Sequence, residues 1–490
     1  MSEAMKDDRR LIGGYGNADD NAGHWCMMDL EMLEYVRDVE LEWINGIDCP
    51  FILEISLDGM NWVTVPVDDD CLSAASFMTV QSNTPILTVS AQSNIHISMI
   101  KINARIRYIK LTVSGAVDGD RKGIRSMKVF GGQSPDFITG VDVSHLLQIE
   151  DYGGKYYDRD GMERDCLKIL KEHGTNYVRL KVWNKPGLPN NDPAGYNDKA
   201  HVLILAERAR KLGLKLLINF HYSDWWTDPG KQFIPEEWQG KNVDEMGDAL
   251  YAFTYDVLAA LKAQGTTPEL VQVGNEITNG MLWDTARVSG EFDTPVQWDI
   301  LCKLLKKGLK AVADVDLSIR TIIHIERGGD NKSSIYFFEK LKERSVAFDM
   351  IGLSYYPIWH GTLADFESNL NDLAVRYGKD IAVVETAYPY TTEDGDDTPN
   401  ATTFPFGAIP NEYPPSVQSQ ANVLHRIAAI LKRVPEGRGK GFFYWQPDFI
   451  PVKGAGWKYG EGCEWDDQTM FDFSGHALWS LDVFKMHCPE

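Results

Sequence analysis

The chain has 490 residues, of which 49 are basic and 71 acidic, so its formal net charge is −22 at pH 7. A field of that sign repels nucleic acid and anionic membrane surfaces, and neither is expected as a partner. Hydrophobic residues make up 43% of the chain, which is typical of a globular protein, and the length predicts two to three domains. No run of about 18 apolar residues occurs, so no transmembrane segment is predicted.

The cysteines are scattered along the chain without CxxC pairs or another metal-ligand spacing. An odd and dispersed set of seven argues against a disulfide framework and against structural zinc. Buried free thiols are therefore expected.

Residues 1–134 are predicted to form a small all-β domain. Alternating stretches such as VELEW at 39–43, FILEISL at 51–57 and YIKLTV at 108–113 are typical of strands. The Asp58-Gly59 turn before a second apolar stretch predicts a hairpin. Together with SMKVFGG at 126–132, the pattern resembles discoidin-like β-sandwiches. The resemblance leaves two roles equally open, which are sugar binding and packing against a neighbouring domain.

Residues 135–490 change to an alternation of strands and helices, which predicts a (β/α)₈ TIM barrel and an α/β fold class. An open doubly wound sheet is the structural alternative, but no glycine-rich phosphate loop follows the first strand. The eight predicted strands are FITGVDVSH (137–145), NYVRLKVW (176–183), LKLLINFHYSD (214–224), LVQVGNE (270–276), RTIIHIE (320–326), DMIGLSYYP (349–357), DIAVVETAYP (380–389) and GFFYWQP (441–447).

Active residues of this barrel project from the carboxyl ends of the strands. Here those ends are rich in polar and aromatic residues, and the predicted binding set is Asp142, Arg179, His221, Asp224, Asn275, His324, Tyr355, Tyr356 and Trp445, with the tryptophan pair Trp225 and Trp226 in the loop after the third strand. The alternative for single members is structural, because Asp142 and Arg179 can form an ion pair at the barrel mouth and His221 can be a hydrogen-bonded barrel residue.

Two glutamates are the predicted catalytic pair. Glu276 ends the fourth strand and Glu385 the seventh, and these strands face each other across a barrel. Two carboxyls about 5–5.5 Å apart suit glycoside hydrolysis with retention, one as acid/base and one as nucleophile. Arg179 and the tyrosine hydroxyls are suited to hold an anionic nucleophile, Asn275 to bind a sugar 2-OH, and Trp445 to form the floor beneath the sugar.

The stretches GVDVSHLLQIEDYGGKYYD, LKVWNKP, INFHYSDWWTDPGKQ, VQVGNEITNGMLW, IGLSYYPIWHGTL and VVETAYPYT resemble the endo-β-1,4-galactanases of glycoside hydrolase family 53. The resemblance runs in order from Phe137 to Phe484. It implies that Glu276 is the acid/base, that Glu385 is the nucleophile and that the substrate is the β-1,4-galactan of pectin. Two departures concern subsite contacts. Gln446 stands where the family commonly has a glutamate, and HIERGGD replaces a form with Asp-Asn after the histidine.

The loop after the seventh strand predicts a structural calcium ion. Asp394, Asp396, Thr398 and Asn400 offer oxygen atoms at alternate positions, which suits a cation that takes six to eight such ligands. Some bacterial members of the family bind calcium in this loop, with a histidine where Thr398 stands. The alternative is a solvated acidic loop. Retaining hydrolysis needs no metal, so no cofactor for catalysis is predicted.

Two other functions stay open at this point. One is another retaining polysaccharide hydrolase, such as a mannanase or xylanase, since the glutamate pair does not separate these. The other is an inactive barrel that binds carbohydrate. A polymer substrate favours an exported protein, although the first residues, MSEAMKDDRR, lack the apolar core of a signal peptide. A monomer is expected.

Overall fold

The computed structural model describes residues 11–14, 24–44, 51–66, 95–113, 123–131, 136–187, 195–406, 413–458 and 462–489. The chain falls into two compact units that divide between Asp136 and Phe137. Among the helices in these ranges, none is long and apolar enough to cross a membrane.

The first unit is all-β, as predicted. Its antiparallel sheet has the order β1-β2-β5-β3-β4, with β6 also paired to β2. Side chains alternate between the two faces, and one face buries residues such as Leu53, Ile55, Ile109 and Leu111. The described strands form one sheet, so a discoidin-like sandwich stays a prediction. The strands are β1 Leu11–Gly14, β2 His24–Ile44, β3 Phe51–Ser56, β4 Val63–Val65, β5 Ile95–Val113 and β6 Gly123–Gly131.

The predicted hairpin joins β3 to β4, and local hydrogen bonds define its turn. The carboxylate of Asp58 accepts the backbone N–H groups of Met60 and Asn61, both at 2.8 Å. Gly59 has φ +77°, a conformation that L side chains rarely adopt. The Asp-Gly signal therefore predicted the hairpin correctly.

The second unit is a closed barrel of eight parallel strands, which confirms the predicted fold. Each predicted strand is present. The strands are β7 Ile138–Asp142, β8 Tyr177–Val182, β9 Lys215–Phe220, β10 Leu270–Val273, β11 Arg320–Ile325, β12 Met350–Ser354, β13 Asp380–Thr386 and β14 Gly439–Trp445.

Helices follow the barrel strands. They are α1 Leu146–Asp151, α2 Cys166–Glu172, α3 Lys199–Lys211, α4 Val243–Ala263, α5 Pro295–Val315, α6 Asn331–Glu343, α7 Leu363–Tyr377, α8 Val417–Arg433 and α9 Asp482–His487. Side-chain caps fix where several begin. Asn242 and Glu245 form a reciprocal capping box on α4, and Thr362 and Asp365 form another on α7.

Side chains inside the barrel change from apolar to polar along several strands. The apolar layer includes Leu217, Leu270, Ile322, Met350 and Phe443, all buried. Because side chains two residues apart on a strand share a face, the next inward positions follow directly. They are Asn219, Gln272, His324, Gly352 and Trp445. An apolar floor therefore supports a polar pocket at the carboxyl ends of the strands.

No disulfide joins the described cysteines. Cys166, Cys302 and Cys463 are buried, as expected, whereas Cys26 and Cys488 are half-buried. Cys49 and Cys71 lie outside the described residues.

Candidate active site

A pocket of about 320 Å³ opens at the carboxyl ends of the barrel strands. Seven of the predicted site residues line it, and they are His221, Trp226, Asn275, Glu276, Tyr356, Glu385 and Trp445. Both candidate catalytic glutamates therefore face one cavity.

The backbone turns sharply to present Glu276. Strand β10 ends at Val273, Gly274 has φ +86°, and Glu276 itself has φ +49° in the left-handed region. A left-handed conformation at a non-glycine residue costs about 1–3 kcal/mol, and such residues cluster at functional sites. Tyr222 and Gln446, just beyond β9 and β14, also have φ +53°. Three strand ends are thus followed by a residue in the left-handed conformation.

Glu385 is held by two donors. Arg179 donates to its Oε1 at 2.7 Å and the Tyr356 hydroxyl donates to its Oε2 at 3.1 Å. The same guanidinium donates to Asp142 at 2.7 Å, and it is fully buried. Asp142 and Arg179 lie behind the pocket wall, where they orient Glu385 and favour its anion.

Glu276 contacts a different set of groups. The hydroxyl of Ser354 donates to its Oε1 at 2.6 Å, and Nε2 of His324 lies 2.8 Å from that hydroxyl. Nδ1 of His324 lies within reach of the Gln272 amide at 2.8 Å and of the Glu276 N–H at 3.3 Å. With Nδ1 accepting both, Nε2 carries the proton and donates to Ser354. Burial lowers the pKa of His324 well below its usual range, so the ring stays neutral.

The environments of the two glutamates favour one shared proton on Glu276. Burial raises the pKa of Glu276 well above its ordinary value, and the charges of Glu385 and Glu326 raise it further. Burial also raises the pKa of Glu385, but Arg179 and the Tyr356 hydroxyl oppose that rise. The difference matches an acid beside an anion.

The two carboxyls lie close together. One oxygen of Glu276, one of Glu385 and a ring nitrogen of His324 are all within 4.8 Å of one another. Such a spacing fits two carboxyls that act on the same bond without a water between them.

Tryptophan rings form one wall of the pocket, which we call the tryptophan wall and define as Trp226, Trp445, Trp457 and Trp465. Ring centroids are 5.8 Å apart for Trp226 and Trp445, and 4.8 Å apart for Trp445 and Trp465. Trp359 is half exposed, and its ring centroid lies 6.1 Å from that of Trp465. Aromatic faces of this kind suit the apolar faces of sugar rings.

Buried polar residues hold the tryptophan wall from behind. The ammonium of Lys181 lies 4.2 Å from the Trp226 ring centroid and 5.8 Å from that of Trp445. Gln446 accepts the indole N–H of Trp457 at 3.0 Å. Gln446, which stands where the family commonly has a glutamate, therefore contacts a ring that lines the pocket.

Three predicted residues lie away from the pocket. Tyr355 points to the helical layer, where its ring stacks on Phe366 at 4.0 Å, because neighbouring residues of a strand face opposite sides. Trp225 stacks on Trp183 at 6.3 Å. Asp224 accepts the backbone N–H groups of Lys185 and Glu236, both at 2.8 Å, and so organises loops.

Several pocket residues were not predicted. They are Thr227, Asp228, Pro229, Lys231, Glu326, Trp359, His360, Trp457 and Trp465, together with Ser354 beside Glu276. Ser354 and Glu326 lie two residues from other inward-facing positions, so strand alternation was a usable signal for both. Loop residues such as Trp457 gave no such signal.

The predicted calcium loop gathers acidic oxygens with a residue distant in sequence. Oxygens of Asp394, Asp396 and Asp466 lie within 4.8 Å of one another. One oxygen of Asp466 and the side-chain oxygen of Asn400 are buried without a hydrogen-bond partner among the described residues. Thr398 donates its N–H to Asp396 at 2.7 Å. Unpaired buried oxygens of this kind fit a hard cation.

Comparison with known proteins agrees with this architecture. A model of glycosyl hydrolase family 53 matches residues 138–484. An "Uncharacterized protein in bgaB 5'region" of Niallia circulans is 45% identical, over 71% of this chain and 93% of that protein. An endo-beta-1,4-galactanase of Bacillus subtilis is 34% identical, over 74% and 90% respectively.

A solved structure gives the same result. The Ignisphaera aggregans GH53 catalytic domain superposes with a TM-score of 0.67 at 40% identity, over 73% of this chain and 99% of that one. The family model covers nearly all of the barrel unit. The chain belongs to glycosyl hydrolase family 53 and is a glycoside hydrolase.

Proposed function

We propose that this protein is an endo-β-1,4-galactanase that hydrolyses β-1,4-galactan, such as the side chains of pectin and type I arabinogalactan, with retention of configuration. The observation that carries the proposal is the pair of carboxyls within 4.8 Å in one tryptophan-walled pocket. The name of the 34% identical Bacillus subtilis relative supports the substrate.

In this mechanism Glu385 attacks the anomeric carbon while Glu276 protonates the departing oxygen. Arg179 and the Tyr356 hydroxyl keep Glu385 anionic until it attacks. Glu276, half-buried and without a cation paired to it in the described chain, begins the step protonated. Water then replaces the leaving sugar, and Glu276 takes its proton as a base while the bond to Glu385 breaks.

The short carboxyl separation supports retention over inversion. An inverting site needs carboxyls about 6.5–9.5 Å apart to hold a water between them, whereas a retaining site needs about 5–5.5 Å. The separation of the nearest oxygens, within 4.8 Å, favours the second case.

The shape of galactan supports the substrate. A galactose unit has an axial 4-OH, so a β-1,4-galactan chain coils where cellulose and mannan run straighter. The rings of Trp226 and Trp445 meet at 61° and those of Trp445 and Trp465 at 88°, which gives a folded surface rather than a flat one. A flatter chain would misplace its scissile bond, and small misplacements are costly in rate.

The polymeric substrate further supports a site of action outside the cytoplasm. We also propose a calcium ion with a structural role only, held by Asp394, Asp396, Asp466 and Asn400. It would cross-link the loop after β13 to the segment that carries Trp465, and no catalytic step involves it.

The test is a panel of β-1,4-galactan, mannan and xylan, with a Glu385→Ala variant as the control for contaminating activity. We expect fastest release of reducing ends from galactan, early galacto-oligosaccharides, and a β-anomer as the first product by proton NMR. Faster cleavage of mannan or xylan would overturn the substrate. An initial α-anomer would overturn retention and would not affect the substrate assignment.

A further inference from the structure

A third carboxyl lies in the pocket beside the two glutamates. Glu326 follows directly after β11 and is 5% exposed. It lines the same cavity as Glu276 and Glu385. The mechanism given above assigns it no role, yet a buried carboxyl is costly to keep charged unless partners hold it.

One hydrogen bond and one ion pair hold Glu326. The hydroxyl of Thr278 donates to its Oε2 at 2.7 Å, and Nε of Arg327 lies 3.0 Å from its Oε1. Thr278 belongs to the short helical turn Ile277–Asn279 that begins at Glu276. The carboxyl of Glu326 is therefore tied to the same turn that presents Glu276.

The two carboxyls differ in the charge of their partners. Glu326 has a guanidinium and a hydroxyl, whereas Glu276 has the hydroxyl of Ser354 and forms no ion pair with a described lysine or arginine. A cation favours the anion of its neighbour. When one proton is shared by two nearby carboxyls, it stays on the one that has no cation beside it, which is Glu276.

We propose that Glu326 is a positioning residue whose buried carboxylate keeps the proton on Glu276 between turnovers and so sets the upper pH limit of activity. This inference rests on the proposed role of Glu276 as the acid. Burial first, then Glu385 and then Glu326 raise the pKa of Glu276 well above its ordinary value. Burial raises the pKa of Glu326 as well, but the charge of Arg327 and the hydrogen bond from Thr278 oppose that rise.

Other groups face Glu276 and are accounted for. Burial holds the pKa of each pocket histidine below its usual range, to about 4 for His360, so these rings stay neutral in the working range. Lys231 pairs with Asp228 at 2.7 Å. The titratable or charged groups around Glu276 are Arg179, His221, Asp228, Lys231, His324, Glu326, Arg327, Tyr356, His360 and Glu385.

The test compares Glu326→Gln with Glu326→Asp in pH profiles of kcat/KM. Removing the anion should lower the pKa of Glu276, so the alkaline limb should move to lower pH by about one unit. Glu326→Asp keeps the charge and should leave the limb near its wild-type position. Asp330→Asn is the matched control, because Asp330 lies near Arg327 at 3.9 Å and keeps its helix-capping role as asparagine.

Two results would overturn the proposal. One is an unmoved alkaline limb in Glu326→Gln, including a uniform loss of kcat/KM at every pH, which would indicate a structural role. The other comes from carbon-13 NMR of the glutamate carboxyls in the unmodified protein, which needs neither a folded variant nor activity. We expect Glu326 to ionise at lower pH than Glu276, and the reverse order would contradict us. That titration stays readable if no glycan is cleaved, so failure of the proposed function is seen separately.

Discussion

Ser354 donates its hydroxyl hydrogen to Glu276 at 2.6 Å and accepts one from His324 at 2.8 Å. The chain of three groups connects the neutral imidazole to the candidate acid. Because the serine stabilises the carboxylate of Glu276, it limits a rise in pKa that burial dominates.

Replacement of Ser354 by alanine should lower kcat/KM by roughly fivefold, the usual worth of one hydrogen bond near 1 kcal/mol. It should also move the alkaline limb upward, because the lost donor favoured the anion of Glu276. Ser354→Thr retains the hydroxyl and should recover most of the activity in the same assay. Equal losses in the two variants would indicate packing rather than hydrogen bonding.

Replacement of Glu385 by alanine should reduce turnover of galactan by at least about 10³-fold, since the covalent step is lost. Azide should restore activity by taking the nucleophile's place and should yield a glycosyl azide of inverted configuration, identified by NMR. Near-normal activity without azide would contradict the assignment.

Replacement of Glu276 by alanine should depend on the leaving group. Proton transfer contributes about 10²–10⁴-fold to a reaction, and most where the departing oxygen is basic. Galactan hydrolysis should therefore fall far more than that of an aryl galacto-oligoside with an acidic phenol. Steady-state kinetics on both substrates give the ratio, and equal losses would argue against an acid role.

Calcium should stabilise the protein most at neutral pH. Burial raises the pKa of Asp466 to about 7, above its value in the unfolded chain. Without metal, the fold therefore loses stability as pH rises from about 4 to about 7, because the unfolded chain releases this proton first. Calcium at 100 times its Kd would add roughly 2.7 kcal/mol. Melting curves with EDTA and with calcium at pH 5 and 7 test this, with Asp466→Asn as the variant that should not respond. Identical melting curves with EDTA and with calcium would contradict the proposed calcium site.

Lys181→Met should raise KM for galactan more than it lowers kcat. The ammonium lies over Trp226 at 4.2 Å, and losing a buried cation–π contact of about 2 kcal/mol would loosen the tryptophan wall. Lys215→Met is the control, because Lys215 lies 5.4 Å from the Tyr177 ring centroid and begins β9 at the other end of the strand. A fall in kcat alone would place Lys181 in the chemistry instead.

The strands and the glutamate pair were predictable because a period of two and an apolar run are local properties of the sequence. The same period predicts that Tyr355 and Ser354 face opposite sides of the strand. Tyr355 packs on Phe366, whereas Ser354 faces Glu276. Asp466 was not predictable. It joins the acidic loop from 71 residues further along the chain, and sequence spacing carries no information on such contacts.

The left-handed backbone at Glu276 has a consequence for evolution and engineering. A glycine would adopt φ +49° without strain and would bring no carboxyl into the pocket. Glu276→Gly is therefore expected to melt above the wild type while being inactive as an acid, in a calorimetric comparison with Glu276→Ala, which keeps the strain. The fold is then expected to be more stable without this carboxyl, and the proposed acid role of Glu276 would be a reason to retain a glutamate where the backbone favours glycine.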